Sequence, residues 1–209
     1  MNSVVFNRTN EEIEPICKAL KFRSKNRVLS VCSGWCIPLL ASHGWSWVTA
    51  VDINKAQVHY AMGRILRVVD GDPEWISTPY DGLHKSDGPN KQFIEKEFLQ
   101  QKWKKFWKIE WPVDCVFNTW INDVDTYDII YLSSVMSLIP QKLGDVWERS
   151  PAWTLVYTAS YGNFYSSLLW SMLQKRFLEI FTEDAEKTVL ARKRRSDTFW
   201  SPMVFRKKK

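Results

Sequence analysis

The sequence predicts an α/β fold: a mostly parallel sheet between helical layers, three layers in all, closed by an antiparallel hairpin at the C-terminus. Three observations carry this. Two short apolar runs, Arg27–Val31 and Trp47–Val51, flank a helix-length segment that opens on the small-residue turn Cys32-Ser33-Gly34. Such a strand–helix–strand pattern is a βαβ unit, which places its two strands parallel. Further short β-prone runs recur downstream, separated by amphipathic stretches, and the last twenty-odd residues read as extended segments. Alternation of this kind suits an α/β sandwich.

Taken in order, Thr9-x-x-Glu12 is a capping box, followed by Ile13, Ile16, Cys17 and Leu20 at helical spacing. A leading helix is expected over 10–22. After the βαβ unit, Val58, Ala61, Met62, Ile65 and Val69 form one buried stripe of a helix. Residues 70–90 carry three glycines and three prolines and read as a loop, and 91–108 return to a helical pattern with Leu99, Trp103 and Phe106 on one side. Together 70–111 exceed what a strand connection needs, so this insertion is the expected lid. Strands are expected at Val113–Phe117, Tyr127–Leu132 and Trp153–Thr158. A long amphipathic helix follows over Phe164–Phe181, and Glu186–Arg192 with Phe199–Arg206 make the closing hairpin.

The 209 residues are 45% hydrophobic and 25% charged, the balance of one globular domain spanning 1–209. Twelve tryptophans imply a core filled with large rings, with a few left to line a site for a flat or apolar acceptor. Of the net charge of +6, residues 191–209 hold eight basic side chains against Asp197, or +7, leaving −1 elsewhere. That end can serve nucleic acid, an anionic membrane surface or an acidic protein, or be a solvated face. The four cysteines form no C-x-x-C and match no histidine spacing for a metal; they suit a reducing, cytoplasmic compartment. No apolar run reaches 18 residues.

The chemistry concentrates in the βαβ unit. Ligands of parallel sheets sit at the carboxyl ends of the strands. Gly34 lets backbone N–H groups approach a ligand there, and Asp52, closing the second strand, can accept both hydroxyls of a ribose. That is half of an adenosine site. Asp52 can equally cap the helix that starts near Lys55.

These residues resemble the class I S-adenosylmethionine (SAM)-dependent methyltransferases, whose first strand ends in D/E-x-G-x-G and whose second ends in a ribose-binding acid. Gly34 matches the middle glycine and Asp52 the acid. Ser30 stands where that family has its first acid, and Cys32 and Cys36 stand at its other glycines. The resemblance implies a Rossmann-like fold, SAM as cofactor, and cofactor contacts from Ser30, Cys32, Gly34, Asp52, Ile53 and Asn54. Asn118 and Thr119 stand where the family reads the adenine edge. Ser133, placed with the cofactor set, and Ser134 stand where acceptor-handling residues sit. The D/N-P-P-Y/F motif of amide and base methylation is absent.

A narrower likeness lies in Asp52-Ile53-Asn54-Lys55-Ala56-Gln57 after V-x-A-V. It resembles the family that transfers 3-amino-3-carboxypropyl from SAM to diacylglycerol, which also tends to carry Ser at the Ser30 position. Methyl transfer to an unidentified acceptor and aminocarboxypropyl transfer are therefore both expected chemistries. A non-catalytic binding module of the same fold, with a basic C-terminus, is the third reading. No catalytic base declares itself; Ser134 and His84 are the candidates by position. SAM is already activated, so alignment and exclusion of water can suffice.

Overall fold

The structure is a computed structural model; it describes residues 11–32, 37–38, 41, 46–52, 54–70, 87–94, 96, 115–118, 126–133, 146–161, 177–192 and 200–209. Among the described residues, seven strands form one sheet: β1 (Arg27–Val31), β2 (Trp47–Val51), β3 (Cys115–Asn118), β4 (Ile129–Tyr131), β5 (Leu155–Tyr161), β6 (Phe181–Glu183) and β7 (Trp200–Lys207). Their order is β3-β2-β1-β4-β5-β7-β6. The first five run parallel, and β7 is antiparallel to both β5 and β6. Helices α1 (Ile13–Leu20), α2 (Lys55–Asp70), α3 (Asp87–Ile94) and α4 (Ala185–Arg192) accompany it.

The central strands are apolar on both faces because both faces are covered. Val28, Leu29, Val48, Ala50, Ile130 and Val156 are all buried. Helix α2 starts at an asparagine cap: Asn54 Oδ1 accepts the Ala56 N–H at 3.0 Å. Its stripe is narrower than the periodicity implied. Val58, Ala61 and Ile65 are buried, but Met62 lies at the rim, 37% exposed.

The start of α1 corrects the capping-box reading. Thr9 lies outside the described residues, Glu12 occupies the cap position without a side-chain bond, and the helix begins at Ile13. The Ile13 N–H is instead accepted by Asn90 Oδ1 at 2.9 Å, 77 residues away. The first N–H groups of a helix need external acceptors, and tertiary structure supplies this one. Asn90 belongs to α3, which itself begins inside the stretch expected to be loop. Asp87-Gly88-Pro89 opens a helix without penalty, since a first-turn proline lacks only an N–H that the helix would not use.

The hairpin partner is also corrected. Residues 186–192 are helical within α4, and the strand beside β7 is Phe181–Glu183. Asp184 decides this: its Oδ1 accepts the Lys187 N–H at 3.1 Å and its backbone oxygen accepts the Thr188 N–H at 2.8 Å. An N-cap followed by Ala-Glu-Lys starts a helix. The expected helix of 164–181 is helical over 177–180 and gives way to β6 at Phe181; its earlier part lies outside the described residues.

Large rings do fill the core, though the described ones are mostly Phe and Tyr. Phe177 stacks on Phe181 at 4.7 Å and meets Phe205 and Trp147 edge-on at 4.9 and 5.0 Å. Trp47 and Trp153 stand at the surface. Among the described residues no helix is long and apolar enough to cross a membrane.

The basic C-terminus is built into this frame rather than frayed. Arg206 grips Asp184 Oδ2 through Nε and Nη2 at 3.2 and 2.8 Å. Lys207 Nζ donates to the carbonyls of Trp147, Glu148 and Ser150, and Lys208 Nζ to that of Leu178. Both lysines end helical turns, where cations suit exposed carbonyls. Arg206, Lys207 and Lys208 are therefore bonded within the fold, not a purely solvated face. Truncation after Phe205 also removes the backbone bonds of Lys207 to Thr154 and Lys208 to Ile180. At about 1 kcal/mol net per bond, the truncated chain should lose on the order of 3 kcal/mol or more. A urea midpoint equal to that of the full chain would refute this.

Candidate functional site

The site follows from register. Val31 pairs with Val51, and Ser30 with Tyr131. Counting on from these pairs, Asp52, Cys32 and Ser133 leave the sheet at one level, on the adjacent strands β2, β1 and β4. Strands lie about 4.8 Å apart, so Asp52 and Ser133 stand on the order of 10 Å from each other with β1 between. The chain order reverses at this point: β2 and β3 extend to one side of β1, β4 and β5 to the other. Such a reversal opens a crevice beyond the strand ends, the usual ligand site of open parallel sheets.

On the β2 side, Asp52 is half-buried, and its Oδ1 accepts the Asn54 N–H at 2.9 Å. Asn54, not Asp52, caps α2, so the cap alternative for Asp52 falls. Burial pushes the Asp52 carboxyl above its ordinary value, and the Asn54 N–H pulls it partly back. Asn118 ends β3 opposite Val51. Ser30 is fully buried and donates to the Val31 carbonyl at 3.2 Å, a strand serine satisfied locally. Cys32 is fully buried. Gly34, Ile53, Thr119, Ser134 and His84 lie outside the described residues, as does the side chain of Asn118.

On the β4 side stands a group that sequence reasoning missed. Glu11, 1% exposed, lies across the ends of β4 and β5. Its Oε2 accepts hydroxyls from Tyr131 and Ser133, each at 2.6 Å, and its Oε1 accepts that of Tyr157 at 2.7 Å. Contacts this short are typical of hydroxyls donating to a carboxylate. Tyr131 and Tyr157 are register partners, and their rings stack at 5.2 Å. Ser133 adopts φ 50°, unusual for a residue with a side chain. This bends the chain leaving β4 as its hydroxyl meets Glu11 and its carbonyl accepts Thr158 Oγ1 at 3.1 Å. Asn90 closes the network by donating to the Glu11 carbonyl at 2.7 Å.

One signal for this cluster was present in the sequence. Tyrosines inside the apolar runs YDIIYL and WTLVYT bring hydroxyls into the core, and a buried hydroxyl needs a partner. What the sequence did not reveal was that the partner is an acid more than 100 residues away.

No family model matches the sequence, and comparison with curated proteins returned no match. Solved structures do resemble it. The N-methyltransferase NodS from Bradyrhizobium japonicum WM9 superposes with a TM-score of 0.53 at 9% identity, covering 95% of this chain and 94% of that one. Precorrin-6y C5,15-methyltransferase from Geobacter metallireducens GS-15 gives 0.50 at 6% identity, with 95% and 87% covered. The chain has the Rossmann-like fold of these methyltransferases. MtNAS in complex with MTA and tNA gives 0.50 at 10% identity over 93% of this chain, which spans 58% of the MtNAS chain.

The raised Asp52 pKa yields a stability prediction. The folded state holds this proton more tightly than the unfolded chain, so stability is unpenalised below the ordinary value of 3.8. It falls as pH rises through the folded value. Asp52→Asn keeps an oxygen for the Asn54 N–H and removes the charge. Its melting temperature should exceed the parent's at about pH 7 and match it at about pH 3; a lower value at neutral pH would refute the assignment.

Proposed function

We propose that this chain is a SAM-dependent transferase, and that methyl transfer to a small-molecule or macromolecular acceptor is its reaction. The observation that carries this is Asp52, a half-buried carboxylate closing β2 at the reversal point of a methyltransferase-like sheet. A ribose diol fits such a group, because its two hydroxyls supply donors to a charge that burial has deprived of water. Asn118 and Thr119 at the end of β3 would border the adenine, and Ile53 and Asn54 the ribose side. Gly34, Cys32 and Ser30 at the end of β1 would face the methionine arm. When bound, SAM supplies an activated sulfonium carbon. The chain's contribution is then to orient the acceptor and exclude water.

The insertion 70–111 is proposed as the cover of the acceptor side. Its helix α3 supports this, being fastened by Asn90 to Glu11 and Ile13 beside the ends of β4 and β5. Aminocarboxypropyl transfer is the second reading, favoured by the DINKAQ run in which Asp52 and Asn54 are joined. The binding-module reading draws less support, since Arg206, Lys207 and Lys208 of the basic end are already engaged within the fold.

Calorimetry with SAM tests the proposal, and the nucleoside released during turnover separates the chemistries. S-adenosylhomocysteine marks methyl transfer, and methylthioadenosine marks aminocarboxypropyl transfer. Asp52→Asn should weaken SAM by about 1.5–3 kcal/mol, as for loss of a charged hydrogen-bond acceptor. Undiminished affinity in that variant would remove Asp52 from the site, and no heat with the parent chain would overturn the transferase reading.

A further inference from the structure

We propose that the amino-terminal rim of the sheet, at the end opposite the crevice, is a docking surface for single-stranded nucleic acid. Among the described residues two tryptophans stand largely in water, Trp47 at 52% and Trp153 at 62% exposure. Single apolar side chains at a surface are ordinary, but these two share one end of the sheet. Trp47 opens β2, and Trp153 lies two residues before β5. With β1 and β4 between them, their backbones stand on the order of 14 Å apart. A run of bonds ties them together. The Trp47 N–H donates to the Asn26 carbonyl at 2.8 Å, and the Arg27 N–H donates to Asp128 Oδ2 at 2.9 Å. Trp153 Nε1 donates to Asp128 Oδ1 at 2.7 Å. One edge of the Trp153 ring is thus fixed while most of it stays in water, and a pre-oriented ring loses little freedom on binding.

Cations flank both rings. The turn before β1 carries the exposed Arg23 and Lys25, and Ser46 Oγ fastens it beside Trp47 by donating to the Arg23 carbonyl at 2.9 Å. Near Trp153, the Lys207 N–H donates to the Thr154 carbonyl at 2.9 Å, which brings the exposed Lys208 and Lys209 to the same rim. Exposed Arg149 precedes the turn that carries Trp153. These five cations outnumber the exposed acids Glu148 and Glu179 beside them, and Asp128 is committed to Trp153 and Arg27. Aromatic faces interleaved with cations suit a single strand, whose bases stack on the rings while its phosphates meet the charges. A duplex keeps its base faces hidden. A membrane-binding rim would add aliphatic side chains to insert, but the other exposed large apolar side chains, Met62 and Val189, belong to α2 and α4. This inference stands apart from the transferase reading, since the rim shares no residue with the crevice.

The test uses the full chain and fluorescence anisotropy of end-labelled oligothymidylate and oligouridylate of about twelve nucleotides. A duplex of equal length and phosphatidylserine-containing vesicles serve as the competing partners. At least one single strand should bind, and more tightly than the duplex. Trp47→Ala and Trp153→Ala should each weaken it by about ten-fold, whereas Trp153→Phe, which keeps a ring, should lose less. Replacing Arg23 and Lys25 together by glutamine should make the fall of log affinity with log salt shallower, by about 0.7 for each phosphate contact removed. Absence of single-strand binding at low salt, duplex binding of equal strength, or an unchanged salt slope would each overturn the proposal. So would undiminished affinity in folded Trp47→Ala and Trp153→Ala. Vesicle binding that needs the tryptophans, without single-strand binding, would overturn it in favour of a membrane surface. Should Trp153→Ala not fold, Trp47→Ala decides.

Discussion

A carboxylate buried at the end of a sheet constrains everything around it. Removing Glu11 from water costs several kcal/mol unless donors replace the lost hydration, and the fold supplies three from two adjacent strands. Meeting that demand ties the segment before α1 to the ends of β4 and β5. It also accompanies the left-handed turn at Ser133 and brings the Asn90 amide against the Glu11 backbone. The N-terminal helix, the insertion helix and the sheet thus meet at one polar knot. Networks of this kind are worth most when every member is satisfied, and each change to one member is felt by the others.

The remainder of the sheet is conventional in its physics, which is why the polar ends stand out. Apolar strands covered on both faces provide stability, and the chain's reversal at β1 leaves a crevice where stability is surrendered. Asp52 shows the exchange. Its carboxyl is held partly out of water, which raises its pKa, and among the described residues the Asn54 N–H donates to it in partial compensation.

Charge at the C-terminus illustrates the opposite use. Arg206, Lys207 and Lys208 close an ion pair and the ends of two helical turns, and β7 links β5 to β6, with Arg206 paired to both. A positive run in sequence is commonly a surface for polyanions. Here three of its members donate to carbonyls and a carboxylate of the same fold.

By itself the sequence determined the alternation of strands and helices, the parallel pairing of β1 with β2 and the position of Asp52 at a strand end. Each of these depends on local periodicity and on residues close together in the chain. It also placed an antiparallel pair at the C-terminus, while assigning one of its strands to residues that an Asp184 cap makes helical. Tertiary structure decided what depends on distant partners. Ile13 begins α1 because Asn90 accepts its N–H, and Glu11 is held beside the ends of β4 and β5 because Tyr131, Ser133 and Tyr157 converge on it. Read locally, Glu11 is one more acid before a helix. Only the pairing of β4 with β5 brings the donors together that let a charge remain buried there.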